Sequence, residues 1–360
     1  MNTKIVKLVL PLFFLLLFSL CGCQCGTKEP DKGPRIGWPR FSFDNDKIVF
    51  AYFKGEDSHV GEKVVYEISR HKLYKYNGIP YYHDFSLDGK KKTYSTGKND
   101  DRNIFVSNAD GSDEKQLTRD YNIDRKASDV KWNTMASFSP DGKRIIFKKS
   151  GIRYSRPMGG TGISDWDVYE VDIKTGKERR LTAYRFYSMT EPYYLSDGKR
   201  FVFSGHGPHN NTGVGPKDTK EYEKLYQGNE IFIMDGKNNT LQPAFTNGEH
   251  SFRPMVSWND TIIFLSMTNK MDGLPLHSSN YDLFIYKRGK MTRLTKMESY
   301  IFDASISADG LRAVFLADKW SHDARPPLWI VNTDGTGLKK IEIPWEQLEQ
   351  PKEGAGGRSK

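Results

Sequence analysis

The chain has 360 residues, of which 37% are hydrophobic and 28% charged, and its formal net charge is +9. This composition is typical of a globular protein and excludes a collagen-like or largely disordered chain. The length allows a sizeable hydrophobic core. The lysines and arginines are spread along the sequence without a dense block, so the charge alone does not indicate a nucleic-acid-binding surface.

The N-terminal sequence has the features of an export signal. Lys4 and Lys7 precede an almost unbroken apolar run over residues 8–20. A bilayer needs roughly 20 apolar residues, so the run is too short for an ordinary transmembrane helix. A positive start, a short apolar segment and small residues after it predict a secretory signal over residues 1–22. An uncleaved anchor helix is the alternative interpretation.

The end of this segment resembles a bacterial lipobox, in which a small residue precedes the cysteine that receives diacylglycerol. Leu20 and Gly22 fit the pattern, whereas Cys21 departs from it. The resemblance implies that Cys23 carries the lipid. It also implies a bacterial cell-envelope protein held on the membrane by its acyl chains. Gln24 after the cysteine resembles lipoproteins of the outer membrane, facing either the periplasm or the cell surface.

Residues 23–39 are rich in Gly, Pro and Lys and are predicted to form a tether. An exported protein rarely meets nucleic acid, so we expect no nucleic-acid partner. The basic excess could instead suit an acidic polysaccharide or anionic lipid. With Cys23 modified and Cys21 removed, Cys25 is the remaining thiol, and no internal disulfide can form.

One phrase recurs along the rest of the chain: a serine or its equivalent, one residue, then Asp-Gly or a similar pair, then a β-rich run. Asp-Gly supplies the positive φ that a tight hairpin needs. The copies are spaced by roughly 44 to 62 residues, which matches the repeat length of propeller blades. The six copies lie at residues 41–45, 85–89, 138–142, 194–198, 257–260 and 306–310.

A second phrase follows each copy: an alternating strand, a tight turn, and a further strand that often ends in Leu-Thr, as at Leu117-Thr118 and Leu181-Thr182. Alternation at period two marks strands with one buried face. Four strands per unit, repeated radially, predict an all-β, six-bladed β-propeller of four-stranded antiparallel blades over residues 40–346. Residues 347–360 are predicted to be a disordered tail. A β-sandwich is the alternative all-β fold, but it gives no reason for six similar units.

The stretch from Ser139 to Phe147, together with the closing Leu-Thr, resembles the TolB-like, WD-like propeller repeat. The resemblance covers about residues 40–343, although the fourth and fifth copies lose the Ser-Pro-Asp-Gly spelling. It implies a propeller fold but no particular function, because the repeat occurs in many proteins. TolB itself has an α/β domain before its propeller, and only the short tether precedes the propeller here, so its role in the Tol–Pal system does not carry over.

The residue six positions before the Asp-Gly position of the repeat enters the innermost strand of each blade. These positions predict a ring of aromatic and charged residues at one mouth of the central channel, on the face that also collects the long insertions. As a binding funnel the ring would use Trp38, Tyr82, Glu191, Arg253 and Asp303, with Met135 in the remaining blade. The alternative is that Arg253 and the neighbouring acids form ion pairs that close the channel.

Three histidines, His206, His209 and His250, lie in or near the insertions and could meet as ligands of a divalent metal. Some TolB-like propellers are oligogalacturonate lyases with a metal held by channel histidines, so a carbohydrate-active enzyme acting on acidic polysaccharide is the alternative function. Exposed loop histidines without a metal are the simpler interpretation, and otherwise no cofactor is indicated. The chain lacks a Gly-x-Ser-x-Gly nucleophile elbow. We therefore expect a protein- or ligand-binding module whose partner is an envelope protein or is linked to the cell wall.

Overall fold

The computed structural model describes residues 35–53, 62–75, 83–97, 102–120, 132–155, 161–206, 229–235, 243–245, 250–269, 280–297, 299–318 and 326–348. These residues belong to one compact unit, Pro34–Lys360. They form six antiparallel blades in a ring, as the repeats predict. No helix in these ranges is long and apolar enough to cross a membrane. The signal, Cys23 and the first part of the tether lie outside the described residues.

Each of the first three blades has four hydrogen-bonded strands in chain order, counted outward from the channel. Blade 1 consists of β1 (Arg35–Phe41), β2 (Lys47–Phe53), β3 (Glu62–Glu67) and β4 (Lys72–Lys75). Blade 2 consists of β5 (His83–Phe85), β6 (Lys91–Thr96), β7 (Asn103–Asn108) and β8 (Lys115–Gln116). Blade 3 consists of β9 (Asn133–Phe138), β10 (Arg144–Lys149), β13 (Asp167–Asp172) and β14 (Glu178–Arg180), with the inserted hairpin β11 (Ile152–Ser155) and β12 (Thr161–Ser164).

The other three blades repeat this order, but the inner strand of blade 4 is in two pieces that both pair with the same neighbour. Blade 4 consists of β15 (Ser188–Met189), β16 (Tyr193–Tyr194), β17 (Arg200–His206), β18 (Glu230–Asp235) and β19 (Pro243–Phe245). Blade 5 consists of β20 (Ser251–Val256), β21 (Ile262–Asn269), β22 (Asn280–Lys287) and β23 (Lys290–Arg293). Blade 6 consists of β24 (Tyr300–Ile306), β25 (Arg312–Asp318), β26 (Leu328–Asn332) and β27 (Lys339–Lys340), followed by a short 3₁₀ helix (Trp345–Leu348).

The propeller is slightly longer at both ends than its predicted bounds of 40–346. β1 begins at Arg35, so residues 35–39 of the predicted tether belong to a strand, and the 3₁₀ helix continues to Leu348. Ile36 is 6% exposed and pairs across to Tyr52. Burial of this side chain explains why the strand extends into a segment whose composition alone suggested a linker.

The serine of the repeat has a structural role. In five blades its hydroxyl donates a hydrogen bond of 2.5–2.7 Å to the Asp or Asn side chain two residues later. These bonds hold the turn between the first and second strands, as short polar side chains commonly do. The pairs are Ser42–Asp44, Ser86–Asp88, Ser139–Asp141, Ser257–Asn259 and Ser307–Asp309. In blade 4 Leu195 takes the serine position, and Asp197 instead accepts bonds from the amides of Lys199 and Arg200.

The threonine of Leu-Thr fastens the outer strand. In blade 3 the hydroxyl of Thr182 donates to Asp167 Oδ1 at 2.7 Å and accepts from the Val168 amide at 2.9 Å. Thr295 and Asp282 repeat this arrangement in blade 5. Both aspartates are buried, and their hydrogen bonds offset the cost of removing them from water. The motif therefore fastens the end of the fourth strand to the start of the third strand.

Apolar clusters lie between blades. Each described cluster joins neighbouring blades, which is the arrangement expected when one blade cannot cover its own apolar face. The cluster between blades 6 and 1 also includes the C-terminal segment. Trp345 packs against Phe50 and Tyr52, with ring centroids 6.2 and 5.4 Å apart. Gln347 Oε1 accepts a hydrogen bond from the Leu73 amide at 2.7 Å. The C-terminus thus fastens the last blade to the first.

The two faces of the ring differ. We call the face with the turns between first and second strands the turn face. Hydrogen bonds join neighbouring turns there: the Ala308 amide donates to Asn45 Oδ1 at 2.6 Å, and Ser196 donates to Asp260 at 2.7 Å. The long insertions connect second to third strands and therefore lie on the opposite face, which we call the insertion face.

Candidate functional site

The inner strands are bulged where the predicted funnel residues lie. In β1, β9 and β20 two residues oppose one on the neighbouring strand. The first of the two has a positive φ: 52° at Trp38, 56° at Met135 and 52° at Arg253. Left-handed backbone at residues other than glycine is uncommon and costs free energy. The equivalent positions predicted from sequence therefore share a backbone irregularity in these three blades.

The structure brings three of the predicted residues together around one that the sequence did not single out. Arg40 Nη1 donates to Asp303 Oδ1 and to the Ala304 carbonyl, both at 3.1 Å. Arg253 Nη1 lies 2.8 Å from the same Asp303 oxygen, and Arg40 Nη2 lies 3.8 Å from Glu191 Oε1. Arg40, Glu191 and Asp303 are all buried. This geometry matches the ion-pair alternative of the sequence analysis more closely than an open funnel.

The electrostatics of this cluster follow from burial. Burial disfavours the charged form of Arg40, but the negative charges of Asp303 and Glu191 outweigh it, and the pKa of Arg40 is raised. Burial lowers the pKa of the Lys148 ammonium to about 8, although Glu191 acts against this shift. Lys148 Nζ donates to the Met189 carbonyl at 2.6 Å. Glu191 therefore favours the charged forms of both Arg40 and Lys148.

Trp38, another predicted funnel residue, is not among the residues that form these contacts. Trp38 is half-buried, and its ring packs edge-on against Phe53 with centroids 5.8 Å apart. Tyr82 lies outside the described residues, so its role stays a prediction.

The histidines are partly brought together. The charge of His206 and burial both act on His250, with burial the larger effect, and the pKa of His250 falls to about 4. The Asn229 amide donates to His250 Nδ1 at 3.2 Å. Among the described residues no group of three His, Cys, Asp or Glu side chains is placed to hold a metal ion. His209 lies outside these residues.

Described residues of the inner strands line two cavities. The larger, the turn-face cavity, has a volume of ≈ 90 Å³ and is lined by Phe41, Phe43, Phe85, Phe138 and Trp258, among others. The smaller, of ≈ 20 Å³, is lined by Met135, Ser137 and Glu191 on its far side. Arg40, Asp84 and Tyr193 line both cavities and therefore separate them.

One set of lining residues occupies equivalent positions in the six blades. In every blade the residue two positions after the predicted funnel position lines one or both cavities. The residues at these positions are Arg40, Asp84, Ser137, Tyr193, Met255 and Ser305. The predicted funnel positions lie two residues earlier, and three of them are bulged. The aligned repeats group these six residues as one set, but the bulges hide which set lines the channel.

Asp84 has an unusual setting for a carboxylate. Its Oδ2 accepts a hydrogen bond from the Phe138 amide at 2.9 Å. Burial raises its pKa to about 6, against the opposing effects of the Phe138 and Phe85 amides and the charge of Arg40. At neutral pH Asp84 is therefore deprotonated, and burial of its negative charge lowers the stability of the folded protein.

We expect Asp84→Asn to stabilise the protein at pH 7.5 by on the order of 2 kcal/mol. The folded-state pKa is above the ordinary value of 3.8, so this group contributes stability below pH 4 that is lost as the pH rises through 6. Asparagine keeps an oxygen for the Phe138 amide and removes this pH dependence. Urea unfolding between pH 3.5 and 8 measures the effect.

Asp88→Asn is the matched control. The hydrogen bond from Ser86 lowers the pKa of Asp88. The contribution of Asp88 to the stability of the folded protein is therefore present at neutral pH and is lost as the pH falls. The pH dependence of the Asp88→Asn difference should therefore have the opposite sign to that of Asp84→Asn. Equal unfolding curves for Asp84→Asn and the unmodified chain across the whole pH range would contradict the assignment.

No protein-family model matches this chain, and no curated protein matches it. Solved structures do resemble it. TolB from Acinetobacter baumannii has a TM-score of 0.52 at 18% identity, over 85% of this chain and 63% of TolB. An oligogalacturonate lyase in complex with manganese has a TM-score of 0.51 at 15% identity, over 84% of this chain and 76% of the lyase.

Acylaminoacyl peptidase from Pyrococcus horikoshii is also similar, with a TM-score of 0.51 at 13% identity, over 89% of this chain and 54% of the peptidase. These relatives include enzymes and a protein named only as TolB, and at such identities the likeness concerns the fold alone. The chain spans less than two thirds of the TolB structure it matches. The fold is a TolB-like six-bladed β-propeller.

Proposed function

We propose that this chain is a lipid-anchored cell-envelope protein whose propeller binds a partner protein on its turn face. The anchor rests on the export signal and on Cys23, which the sequence places where a lipobox cysteine would be. The binding role rests on the turn-face cavity and the side chains around its mouth.

The observation that carries the proposal is a set of exposed apolar side chains in turns of the turn face, one of which, Phe43, lines this cavity. Phe43 is 46% exposed and Leu87 52%, and both lie in first turns of neighbouring blades. Leu311, 57% exposed, lies in the corresponding turn of blade 6, on the other side of blade 1. Exposed apolar groups in equivalent turns of neighbouring blades favour an interaction on this face, and aromatic residues dominate the energetics of protein interfaces.

Phe43 is held in place rather than mobile on the surface. It lines the turn-face cavity, its ring centroid is 6.1 Å from that of Phe85, and the ring lies against Gly89 of the next blade. A Cβ at Gly89 would come within 2.6 Å of the Phe43 ring. The glycine therefore allows the aromatic ring to cross from one blade to the next, and a rigid exposed aromatic is a good anchor for a partner.

The size of the cavity favours a protein partner over a small metabolite. At ≈ 90 Å³ it is smaller than the roughly 300–1,000 Å³ of typical small-molecule sites. It has room for a single side chain inserted from a surface that also covers Phe43 and Leu87. The cavity would take one side chain of the partner, and the apolar residues of the turn face would contact the surface around that side chain. Protein interfaces commonly have such a tightly packed centre.

The test is capture of a partner by cross-linking in cell-envelope membranes, using the full-length tagged chain. Cys23→Ala should be missing from the membrane fraction. We expect Phe43→Ala combined with Leu87→Ala to weaken capture of the specific partner by at least about tenfold, since anchor residues each contribute more than about 1 kcal/mol.

Leu338→Ala is the matched control, because Leu338 is 41% exposed but lies next to the outermost strand of blade 6 and does not line the turn-face cavity. It should capture the same partner as the unmodified protein. If the double variant captures the same proteins in the same yield as Leu338→Ala, the turn face is not the binding surface.

A further inference from the structure

Asp84 lies at the floor of the turn-face cavity and has no counter-ion of its own among the described residues. Its hydrogen bonds come from main-chain amides, and the ion pairs of the described part of the chain do not include it. The charged or titratable groups that face it across the two cavities are Arg40, Tyr193, Tyr194 and Glu191. A carboxylate can accept several hydrogen bonds, so Asp84 has acceptor capacity left.

Arg40, the cation beside this carboxylate, is already engaged elsewhere. Its Nη1 donates to Asp303, to the Ala304 carbonyl and to the Pro39 carbonyl at 3.1, 3.1 and 2.8 Å. Asp303 takes a second ion pair from Arg253 at 2.8 Å. Arg40 therefore belongs to the ion cluster between blades 1 and 6, and leaves Asp84 open to a further cation from the cavity.

The walls of the cavity also favour a cation. The faces of aromatic rings carry negative potential and attract ammonium and guanidinium groups, more strongly where water is excluded. Phe41 and Phe138 are buried, and Phe43, Phe85 and Trp258 complete the aromatic lining. Aromatic walls can also contact the methylene stem of a lysine or arginine side chain, whose charged end extends beyond it.

We propose that the turn-face cavity receives a lysine or arginine side chain of the partner protein, whose cationic group pairs with Asp84. This rests on the proposed function, because it names the chemistry of the residue that the partner inserts. The cationic group supplies the charge that Asp84 lacks, and the aromatic walls cover the aliphatic stem. A neutral apolar side chain would fill the same walls but leave the carboxylate uncompensated.

The pairing makes binding depend on pH. A cation binds the deprotonated carboxylate, so affinity should be highest above the pKa of Asp84 and fall as that group takes up a proton. The pKa of about 6 places this change between neutral and mildly acidic pH. Between pH 7.5 and pH 5.0 the loss of affinity should be about tenfold.

The test uses n-butylammonium, which matches the lysine side chain, with 1-pentanol as a neutral compound of similar size and pentanoate as an anion. Ligand-observed NMR titrations of the full-length protein in detergent measure the three affinities at both pH values. We expect butylammonium to bind at pH 7.5, to bind about tenfold more weakly at pH 5.0, and to bind more tightly than pentanol or pentanoate.

Asp84→Asn should weaken butylammonium about tenfold at pH 7.5 and remove its pH dependence, whereas Leu338→Ala should bind as the unmodified protein does. Equal affinities for butylammonium and pentanol, tighter binding of pentanoate, or no binding of butylammonium would each overturn the inference. The pH series on the unmodified chain decides this even if Asp84→Asn folds poorly. If the Phe43 and Leu87 variants still lose their partner while butylammonium fails, the binding function stands and this inference alone is wrong.

Discussion

Replacing Trp345 with alanine is expected to lower the free energy of unfolding by about 2–4 kcal/mol, less than the roughly 3–5 kcal/mol seen for fully buried aromatic side chains because Trp345 is half-buried. Trp345 lies after the last strand, yet it packs against Phe50 and Tyr52 of blade 1. Among the described strands each blade is made of strands that are consecutive in the chain, and none of these strands joins a blade at the opposite end of the chain. The tryptophan is therefore a large part of what holds the ends of the ring together. Chemical unfolding followed by circular dichroism measures the change.

Trp345→Phe and Leu338→Ala are the controls for this result. Phenylalanine keeps an aromatic ring against blade 1 and should recover more than half of the lost stability, whereas Leu338 is exposed and its removal should change stability by less than about 0.5 kcal/mol. A stability loss for Trp345→Ala no larger than that of Leu338→Ala would mean that the ring is closed without this contact.

The second large effect is expected at Arg40. Arg40→Ala should lower the free energy of unfolding by about 3–5 kcal/mol, because removing one partner of a buried ion pair leaves the other charge uncompensated. Glu191 would be affected directly, since it accepts no hydrogen bond from the described residues and its ion pair is with Arg40. The contacts to Asp303 and Ala304 also join blade 1 to blade 6. Urea unfolding at pH 7.5 measures the loss.

Arg253→Ala provides the comparison within the same cluster. The Arg253 side chain is 24% exposed, against 9% for Arg40, and Asp303 keeps its bond to Arg40 when Arg253 is removed. We therefore expect a smaller loss, of about 1 kcal/mol, for this variant. If both variants lose the same stability, the two arginines share the role and Arg40 has no special place at the junction of the blades.

The sequence predicted the blades well because their signals are local. Ser139 and Asp141 are two residues apart, and so are their counterparts in four other blades, so the turn can be recognised from a short stretch of sequence. In blade 5 the turn keeps its geometry although its sequence differs, since Ser257 and Asn259 form the same hydrogen bond without an Asp-Gly pair. Local chemistry of this kind survives in any arrangement of the rest of the chain.

The channel and the closure of the ring could not be predicted in the same way. Arg40 and Asp303 are 263 residues apart, and Leu73 and Gln347 are 274 apart. Nothing in the sequence indicates which distant residues meet, because that depends on how the blades are arranged around the ring. The bulges add a second difficulty. An extra residue in β1 or β20 interrupts the alternation of side chains, so the period of two does not show which of the aligned positions faces the channel.

The outermost strands explain where part of the basic excess lies. The rim of a propeller presents unpaired strand edges, which invite pairing between molecules unless charge or proline prevents it. Five of these strands carry lysine or arginine, as in Lys72 and Lys75 of β4 or Lys339 and Lys340 of β27. The sixth, β19, begins with Pro243, which has no amide hydrogen to donate. The positive charge of the rim thus protects the protein from edge-to-edge aggregation and need not indicate an acidic ligand.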